Sequence, residues 1–545
     1  MQSSTPRRLR LALALIAMPV VASMISASAA RAEEVITLED LRSIVIQTTA
    51  LQEPVVENAE LTTPYAETPY IDSASSVESY AAVPTCNDCE TTCCTQKQKE
   101  AATAAMKSAF GGVFYANNFS YLNDPCYDGP AFCGDCLKDN KTPFGTLSFG
   151  GETRFRYHNE RNLRGLGITG KDDNFWLSRQ RLYADWKIND VFRVYGEVLD
   201  AQSMGEDYAP RPIEENDMDI LNLFVDVVLI DSGSSKLTAR VGRQELLYGA
   251  QRTVSPLDWA NTRRTFEGVR MLYQTGDTSI DAFWTEFVPV SPTRADESDA
   301  ARQFYGVYAS EKNLPVGTMD AYYLGYDNKT VGFSLHTIGS RILGETDRGW
   351  LYDVEGAFQF GSDATPSNHE AGFFTAGLGR KYETNLLSPT VWAYYDYASG
   401  EEDFAEVGAG DGGYEHLFPL AHKYNGFMDL FGRRNLHDFN VLANTPLTKK
   451  ISLVLWYHYF RLDEQTTPYS VVMTPYNKTT QAESKDLGHE IDVLFNINLN
   501  PRNNVLLGYS HFAGGDYYDT PGIKPTLAGD DADADFFYAQ FQTRY

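Results

Sequence analysis

The last eleven residues, "DFFYAQFQTRY" (535–545), alternate all the way to the end. Phe537, Ala539, Phe541, Thr543 and Tyr545 fall on one side of an extended strand, and Tyr538, Gln540, Gln542 and Arg544 on the other. Most domains let their last residues fray, yet here the alternation runs through to an aromatic. A terminal strand of this kind needs a partner for its open edge. Pairing with the first strand of the same sheet is the arrangement that leaves no edge unpaired.

The same period governs the chain from Thr146 onward. In "TLSFGGETRFRYH" (146–158), Leu147, Phe149, Thr153, Phe155 and Tyr157 oppose Glu152, Arg154, Arg156 and His158. In "ILNLFVDVVLI" (220–230), Leu221, Leu223, Val225, Val227 and Leu229 oppose Asn222, Phe224 and Asp226. In "LGHEIDVLFNINL" (487–499), Ile491, Val493, Phe495 and Ile497 oppose Glu490, Asp492, Asn496 and Asn498. One such strand would also suit a sandwich, with core on one face and water on the other. The connections decide. About eighteen strands fit between 146 and 545, and the joins after odd-numbered strands are mostly long: 159–173, 203–218, 247–265, 399–434, 463–485 and 514–533. The joins after even-numbered strands are mostly tight, as at 189–190, 275–277, 448–449 and 500–501, with gaps at 328–331 and 342–350 departing from the rule. Long loops on one rim and tight turns on the other, with an even strand count, predict an all-β transmembrane antiparallel barrel of about eighteen strands.

Composition agrees. Tyr (33), Phe (30) and Gly (42) are abundant, mean hydropathy is −0.35, and no segment after residue 32 has the run of about 20 apolar residues that a membrane helix needs. Residues 1–32, with Arg7, Arg8 and Arg10 before "LALALIAMPVVASMI" and a small-residue "ASAARA", read as a secretory signal peptide. Lys and Arg number 46 against 73 Asp and Glu, which argues against nucleic acid as a partner.

Between the signal and the barrel, 33–85 reads as a low-complexity linker and 86–145 as a Cys-rich periplasmic extension. All seven cysteines lie here: Cys86, Cys89, Cys93, Cys94, Cys126, Cys133 and Cys136. In an oxidising compartment they are disulfide candidates, with one thiol left over. "QKQKEAATAAMKSAF" between them reads as a helix. No metal or haem site is expected, since C-x-x-C-H is absent and Cys93 and Cys94 interrupt a zinc-like spacing.

Several stretches go beyond barrel grammar: "VGRQELLYGAQRTVSPLDWANTRRTFEGVR" (241–270), "YDVEGAFQFG" (352–361), "YYDYASGEED" (394–403), "FPLAHKYNGFMDLFGRRNLHDFNV" (418–441) and "LGHEIDVLF" (487–495). Over 146–545 the chain resembles the alginate-export porin family. That resemblance implies an eighteen-stranded outer-membrane barrel and passive passage of an acidic polysaccharide along an Arg-lined lumen.

Alternation puts Arg154, Arg156, Arg179, Arg181, Arg193, Arg240 and Arg270 on neighbouring lumenal faces, a basic ladder suited to successive carboxylates. The alternative is structural pairing with Glu152, Asp185, Glu197 and Asp226. Asp281, Asp320, Asp353, Glu355, Asp396, Glu490 and Asp492 phase inward on the far wall, so the lining is mixed. Arg252, Arg263 and Arg264, beside Trp259, sit in a loop that either folds inward as a gate or packs at the rim. Arg433 and Arg434 end the longest loop, which reads as a mobile external lid or a plain surface loop. His158 and His489 are placed in the lumen or at its rim, and His511 points away from Ser510, so no acid–base–nucleophile set emerges and no enzyme or cofactor is expected. The expected partners are outer-membrane lipid and lipopolysaccharide, an anionic polysaccharide or oligosaccharide, and periplasmic export or assembly proteins. An uptake porin for small anionic or polar solutes, and a surface anchor, are the competing readings.

Overall fold

The computed structural model describes residues 94–545 apart from 166, 364–367, 383–386, 408–411 and 524–531. The expected signal peptide, the linker, and Cys86, Cys89 and Cys93 lie outside the described residues. Among the described residues no helix is long and apolar enough to cross a membrane.

After a three-residue strand β1 (Asn140–Thr142), the sheet runs β2 (Gly145–Arg161), β3 (Asp173–Lys187), β4 (Phe192–Met204), β5 (Asn216–Asp231), β6 (Ser235–Gln244), β7 (Thr265–Thr275), β8 (Thr278–Val288), β9 (Asp299–Leu314) and β10 (Gly317–Asn328). It continues with β11 (Phe333–Glu345), β12 (Trp350–Ser362), β13 (Asn368–Lys381), β14 (Thr390–Ala398), β15 (Leu436–Pro446), β16 (Ile451–Arg461), β17 (Asp486–Asn500), β18 (Asn503–Gly514) and β19 (Ala534–Arg544). Each strand pairs antiparallel with the next, and β19 closes on β2 from Asp535↔Arg161 to Arg544↔Glu152. The eighteen strands β2–β19 therefore form a closed barrel. The alternating terminal segment is its closing strand, and Tyr545 exchanges two backbone hydrogen bonds with Gly151.

Alternation sorts the side chains as expected. Phe155, Leu182, Leu223, Trp284, Leu378, Val441, Leu455 and Ile491 stand exposed on the outer face. Apolar surface on that scale is stable against hydrocarbon rather than water. Leu221 departs from the pattern. A bulge shifts the register between Glu197↔Asn222 and Val198↔Ile220, and the extra residue turns Leu221 inward against Leu199 and Ala201.

The barrel is not hollow. Helix α1 (Gln96–Lys107) starts at a capping box, in which Thr95 and Gln98 satisfy each other's backbone N–H groups. The segment after it enters the tight-turn end of the barrel. Met106, Phe110, Phe114, Phe119 and Tyr121 bury against the lumenal faces of Tyr183, Tyr195 and Phe224. A disulfide joins Cys94 to Cys126, tying the start of α1 to this segment. Cys133 and Cys136 are exposed, and neither is disulfide-bonded. Their thiols face solvent on the turn around Asp135–Leu137, and their candidate partners Cys86, Cys89 and Cys93 lie outside the described residues. Gly134 adopts φ +88°, and a Cβ there would lie 2.6 Å from the Tyr545 carbonyl carbon, so the N-terminal segment packs directly on the closing strand.

Two loops from the other end also turn inward. Residues 245–264, between β6 and β7, and 399–435, between β14 and β15, meet at a parallel bridge between Val254 and Phe418. In the second loop Phe427, Met428, Leu430 and Phe431 bury against Trp456, Phe460, Leu494 and Phe512 of β16–β18. The longest loop is thus a packed lumenal element over its described residues, not an external lid. Apolar side chains drive it in, and Gly426 (φ +84°) allows the backbone to lie on Glu490, whose carboxylate accepts the Met428 N–H at 2.9 Å.

Candidate functional site

All seven strand arginines face the lumen, and most are paired there. Arg179 holds Glu152 at 2.5 Å, Arg181 holds Glu197 at 2.7 Å, Arg240 holds Asp226 at 2.7 Å, and Arg193 holds Asp185 at 2.7 Å. Arg270 chelates Asp281, with Nε 2.9 Å from one oxygen. The four carboxylates proposed as structural partners are all used in this way. Arg179 and Arg181 have lost almost all contact with solvent, at 0 % and 1 % exposure, while Arg193 and Asp185 are only partly buried. A buried ion pair is costly to break because one charge is left unpaired.

Arg154 and Arg156 differ. Neither has a carboxylate within ion-pair distance among the described residues. Arg154 donates to the carbonyls of Asp258 (2.8 Å) and Ala260 (2.5 Å) in the inward loop. Arg156 donates to the Trp259 carbonyl (2.8 Å) and Gln540 (2.8 Å), with its guanidinium 3.7 Å from the Trp259 ring centroid. The loop tip is therefore clamped on two cations that make no direct ion pair among the described residues. The opposite face of that tip is held too, because Trp259 stacks on His422 of the second loop at 3.5 Å and 7°. Burial opposes ionisation of Asp258, yet Arg263, Arg179 and Arg154 hold its carboxyl well below the ordinary range.

The remaining loop cations fasten the two inward loops to the walls. Arg252 reaches β12, with Asp353 at 2.8 Å and Glu355 at 2.9 Å, and Arg341 on β11 shares Asp353 at 2.7 Å. Arg263 pairs with Glu245 and Asp258. Arg264 lies on the Phe418 ring and donates to the Ser255 and Pro419 carbonyls. Arg433 binds Asp396 at 3.3 Å, and Arg434 binds Glu401 at 3.1 Å. Loop 245–264 thus spans the lumen from the β12 wall to the β2–β3 wall.

A family model described as alginate export matches residues 146–525. The chain belongs to the alginate export family. No curated protein matches it. Among solved structures, OccAB2 of Acinetobacter baumannii aligns at 10 % identity with TM-score 0.51, over 74 % of this chain and 99 % of its own. The Pseudomonas aeruginosa outer membrane protein OpdK aligns at 12 % identity with TM-score 0.49, over 73 % and 98 %. At these identities the likeness is one of fold. Family and closed barrel together make the chain an outer-membrane channel protein.

This alginate-export barrel carries an addition on its basic wall that lies outside the family match. The N-terminal segment sits on the same arginines. Phe114 lies 3.8 Å from the Arg181 guanidinium, Tyr115 lies 4.4 Å from that of Arg240, and Arg193 donates to the Tyr115 carbonyl at 2.7 Å. Tyr115 also donates to the Glu245 carbonyl at 2.6 Å, and Arg263 to the Gly112 carbonyl at 3.2 Å, so segment and inward loop touch. The other side of the segment is anchored by Arg502, which donates to Tyr121 at 2.5 Å and lies 3.4 Å from Asp135. Arg341 and Arg502 were missed in the sequence. Arg341 phases inward in "HTIGSRILG" and was open to detection, whereas Arg502 sits in a two-residue turn that gives no sign of it. His158 is lumenal, buried between Phe175 and Phe536. His489, placed in the lumen or rim from sequence, stands on the outer face, since it alternates with the buried Glu490 and is exposed.

Proposed function

We propose that this protein is a passive, cofactor-free channel for an acidic polysaccharide of the polyuronate class, or its oligomers, with Arg154 and Arg156 as the principal contacts. In this reading the long-loop end faces outward, the N-terminal segment lies on the periplasmic side, and the inward loops and that segment move for cargo to pass. The observation that carries it is the pair of strand cations whose counter-groups among the described residues are loop carbonyls, one amide and the Trp259 ring. Such donors are satisfied while the loop is in place and are free to take carboxylates when it leaves. The paired arginines supply the rest of the track, since their carboxylates temper binding so that cargo is released.

The test is planar-bilayer recording in a salt gradient with polyuronate or a neutral polymer of equal length added to one side. Anion selectivity and selective interruption of current by the polyuronate are expected; cation selectivity of the native protein would overturn the reading. The filled cross-section favours a second reading, uptake of small anionic solutes, which predicts anion selectivity with no response to the polymer.

A further inference from the structure

The first inward loop and the N-terminal segment meet at one side chain, Arg263. Each of its three guanidinium nitrogens goes to a different place. Nε donates to the Glu245 carboxylate, where the loop leaves β6. Nη1 donates to the Asp258 carboxylate at the loop tip, and Nη2 donates to the Gly112 carbonyl of the segment at 3.2 Å. The side chain is 1 % exposed, so an acceptor that moves away is not replaced by water while the other two stay. A guanidinium is planar and rigid, and it holds its three acceptors in one fixed arrangement. Displacing one of them misaligns the group toward the others.

The hydrogen bond from Tyr115 to the Glu245 carbonyl, at 2.6 Å, has a different effect, because Glu245 belongs to the wall. Its N–H donates to Asn222 Oδ1 of β5 at 2.9 Å, and its carboxylate accepts from Asn222 Nδ2 at 3.0 Å. Tyr115 therefore fastens the segment to the barrel, whereas Arg263 fastens it to the loop. From Arg263 the contacts run on to the cations under the loop tip. Arg179 holds the Asp258 carboxylate at 2.8 Å, and the Asp258 and Ala260 carbonyls accept from Arg154. The backbone of the segment also lies close against the start of the loop, since a Cβ on Gly112 would lie 2.7 Å from Leu247 Cδ1.

We propose that Arg263 is a positioning residue that couples the two obstructions of the lumen. Unseating the N-terminal segment at the tight-turn end loosens the loop tip on Arg154 and Arg156, and freeing the loop loosens the segment. Coupling between two sites is reciprocal, so both directions hold or neither does. The segment is then more than a plug: it is the input through which the tight-turn end acts on the loop. It lies outside the family match at 146–525, which makes this input an addition to the shared barrel. The inference rests on the proposed movement of loop and segment, and not on the identity of the cargo.

The experiment is hydrogen–deuterium exchange on the full barrel in nanodiscs, read separately in peptides from 94–137 and from 246–264. Heat-modifiable migration confirms that each variant is folded. Arg502→Glu sets a second carboxylate against Asp135 and unseats the segment at its Arg502 anchor, away from Arg263. If the segment stays protected in that variant, reduction of the Cys94–Cys126 bridge supplies the same perturbation. Exchange in the loop should then rise about tenfold, the worth of one hydrogen bond to a charged group. Arg252→Ala frees the loop at its β12 end, and exchange in the segment should rise in return. Arg263→Lys keeps the charge that faces Glu245 and Asp258, but an ammonium lacks the planar fork that serves three separated acceptors. In that background the loop should keep near-native exchange, and neither perturbation should cross from one element to the other. A loop that stays protected while the segment exchanges faster would overturn the proposal, as would transmission that survives in Arg263→Lys and Arg263→Gln. Interruption of current by polyuronate, recorded on the native protein, reports on the cargo, so each reading can fail alone.

Discussion

Replacing Arg252 with Ala should unlatch the inward loop. Its guanidinium lies 2.8 Å from Asp353 and 2.9 Å from Glu355, and all three side chains are at most 3 % exposed. Arg341 still serves Asp353, but Glu355 has no other ion-pair partner among the described residues. Removing one member of a buried pair leaves an uncompensated charge and costs about 3–5 kcal/mol. That penalty falls on the docked loop alone, because an undocked loop leaves Glu355 free to hydrate. At about 1.4 kcal/mol per decade the undocked fraction rises on the order of 10²- to 10³-fold. Single-channel recording should show this as a rise in open probability of Arg252→Ala over the native protein. Adding Glu355→Gln removes the stranded charge, and the double variant should return part of the way. An open probability for Arg252→Ala within a factor of about 2 of native, in a barrel that still migrates as folded, would refute the latch.

Three other outcomes follow from the same geometry. A carboxylate 4 Å from a cation gains about 1–4 kcal/mol between water-like and near-surface screening. Losing both cations in Arg154→Gln/Arg156→Gln should therefore lower the anion-to-cation permeability ratio about tenfold, read from the reversal potential in a salt gradient. The Cys94–Cys126 bridge closes a sequence separation of 32. The chain-entropy model assigns a loop of that length about 4 kcal/mol, so reduction should speed proteolysis within 94–144 and raise mean conductance. Unchanged cleavage would show that packing alone seats the segment. Glu415, in the second inward loop, has its carboxyl pushed up to about 7 by burial. A carboxyl with a raised folded value is docked most firmly below its ordinary value near 4.5 and loses that support as pH rises through 7. Open probability should climb across that window and level off above it, and Glu415→Gln should flatten the rise.

The wall was legible because its grammar is local. Two-residue alternation alone put Arg154, Arg179 and Glu490 inward and Phe155, Ile491 and Phe541 outward, and the closing strand followed from the last eleven residues. It failed at Leu221, where a bulge adds a residue, and no composition signal marks a bulge in "ILNLF". The filling of the barrel was not legible, because it depends on contacts between distant residues. Arg252 is 101 positions from Asp353, and Arg156 is 103 from the Trp259 carbonyl. Nothing near either residue announces its partner. The N-terminal segment hid for a similar reason. The cysteines and the helix of 86–145 could be read locally, but the packing of Phe110, Phe114 and Tyr121 on Tyr183, Tyr195 and Phe224 of the barrel lining could not.

The unpaired arginines bear on how such a channel opens. A loop carbonyl carries a partial charge and a uronate a whole one, so replacing the first by the second at Arg154 and Arg156 strengthens each bond. In the docked arrangement both guanidiniums are buried at 2 % exposure, so a polymer reaches them only after the loop has left. A ligand shifts an equilibrium only by its difference in affinity for the two states, and here the docked state offers these two contacts nothing. Polyuronate should therefore hold the loop out in proportion to its concentration over its dissociation constant. A neutral polymer of equal length lacks the bond that displaces the carbonyls, and the loop stays on its cations.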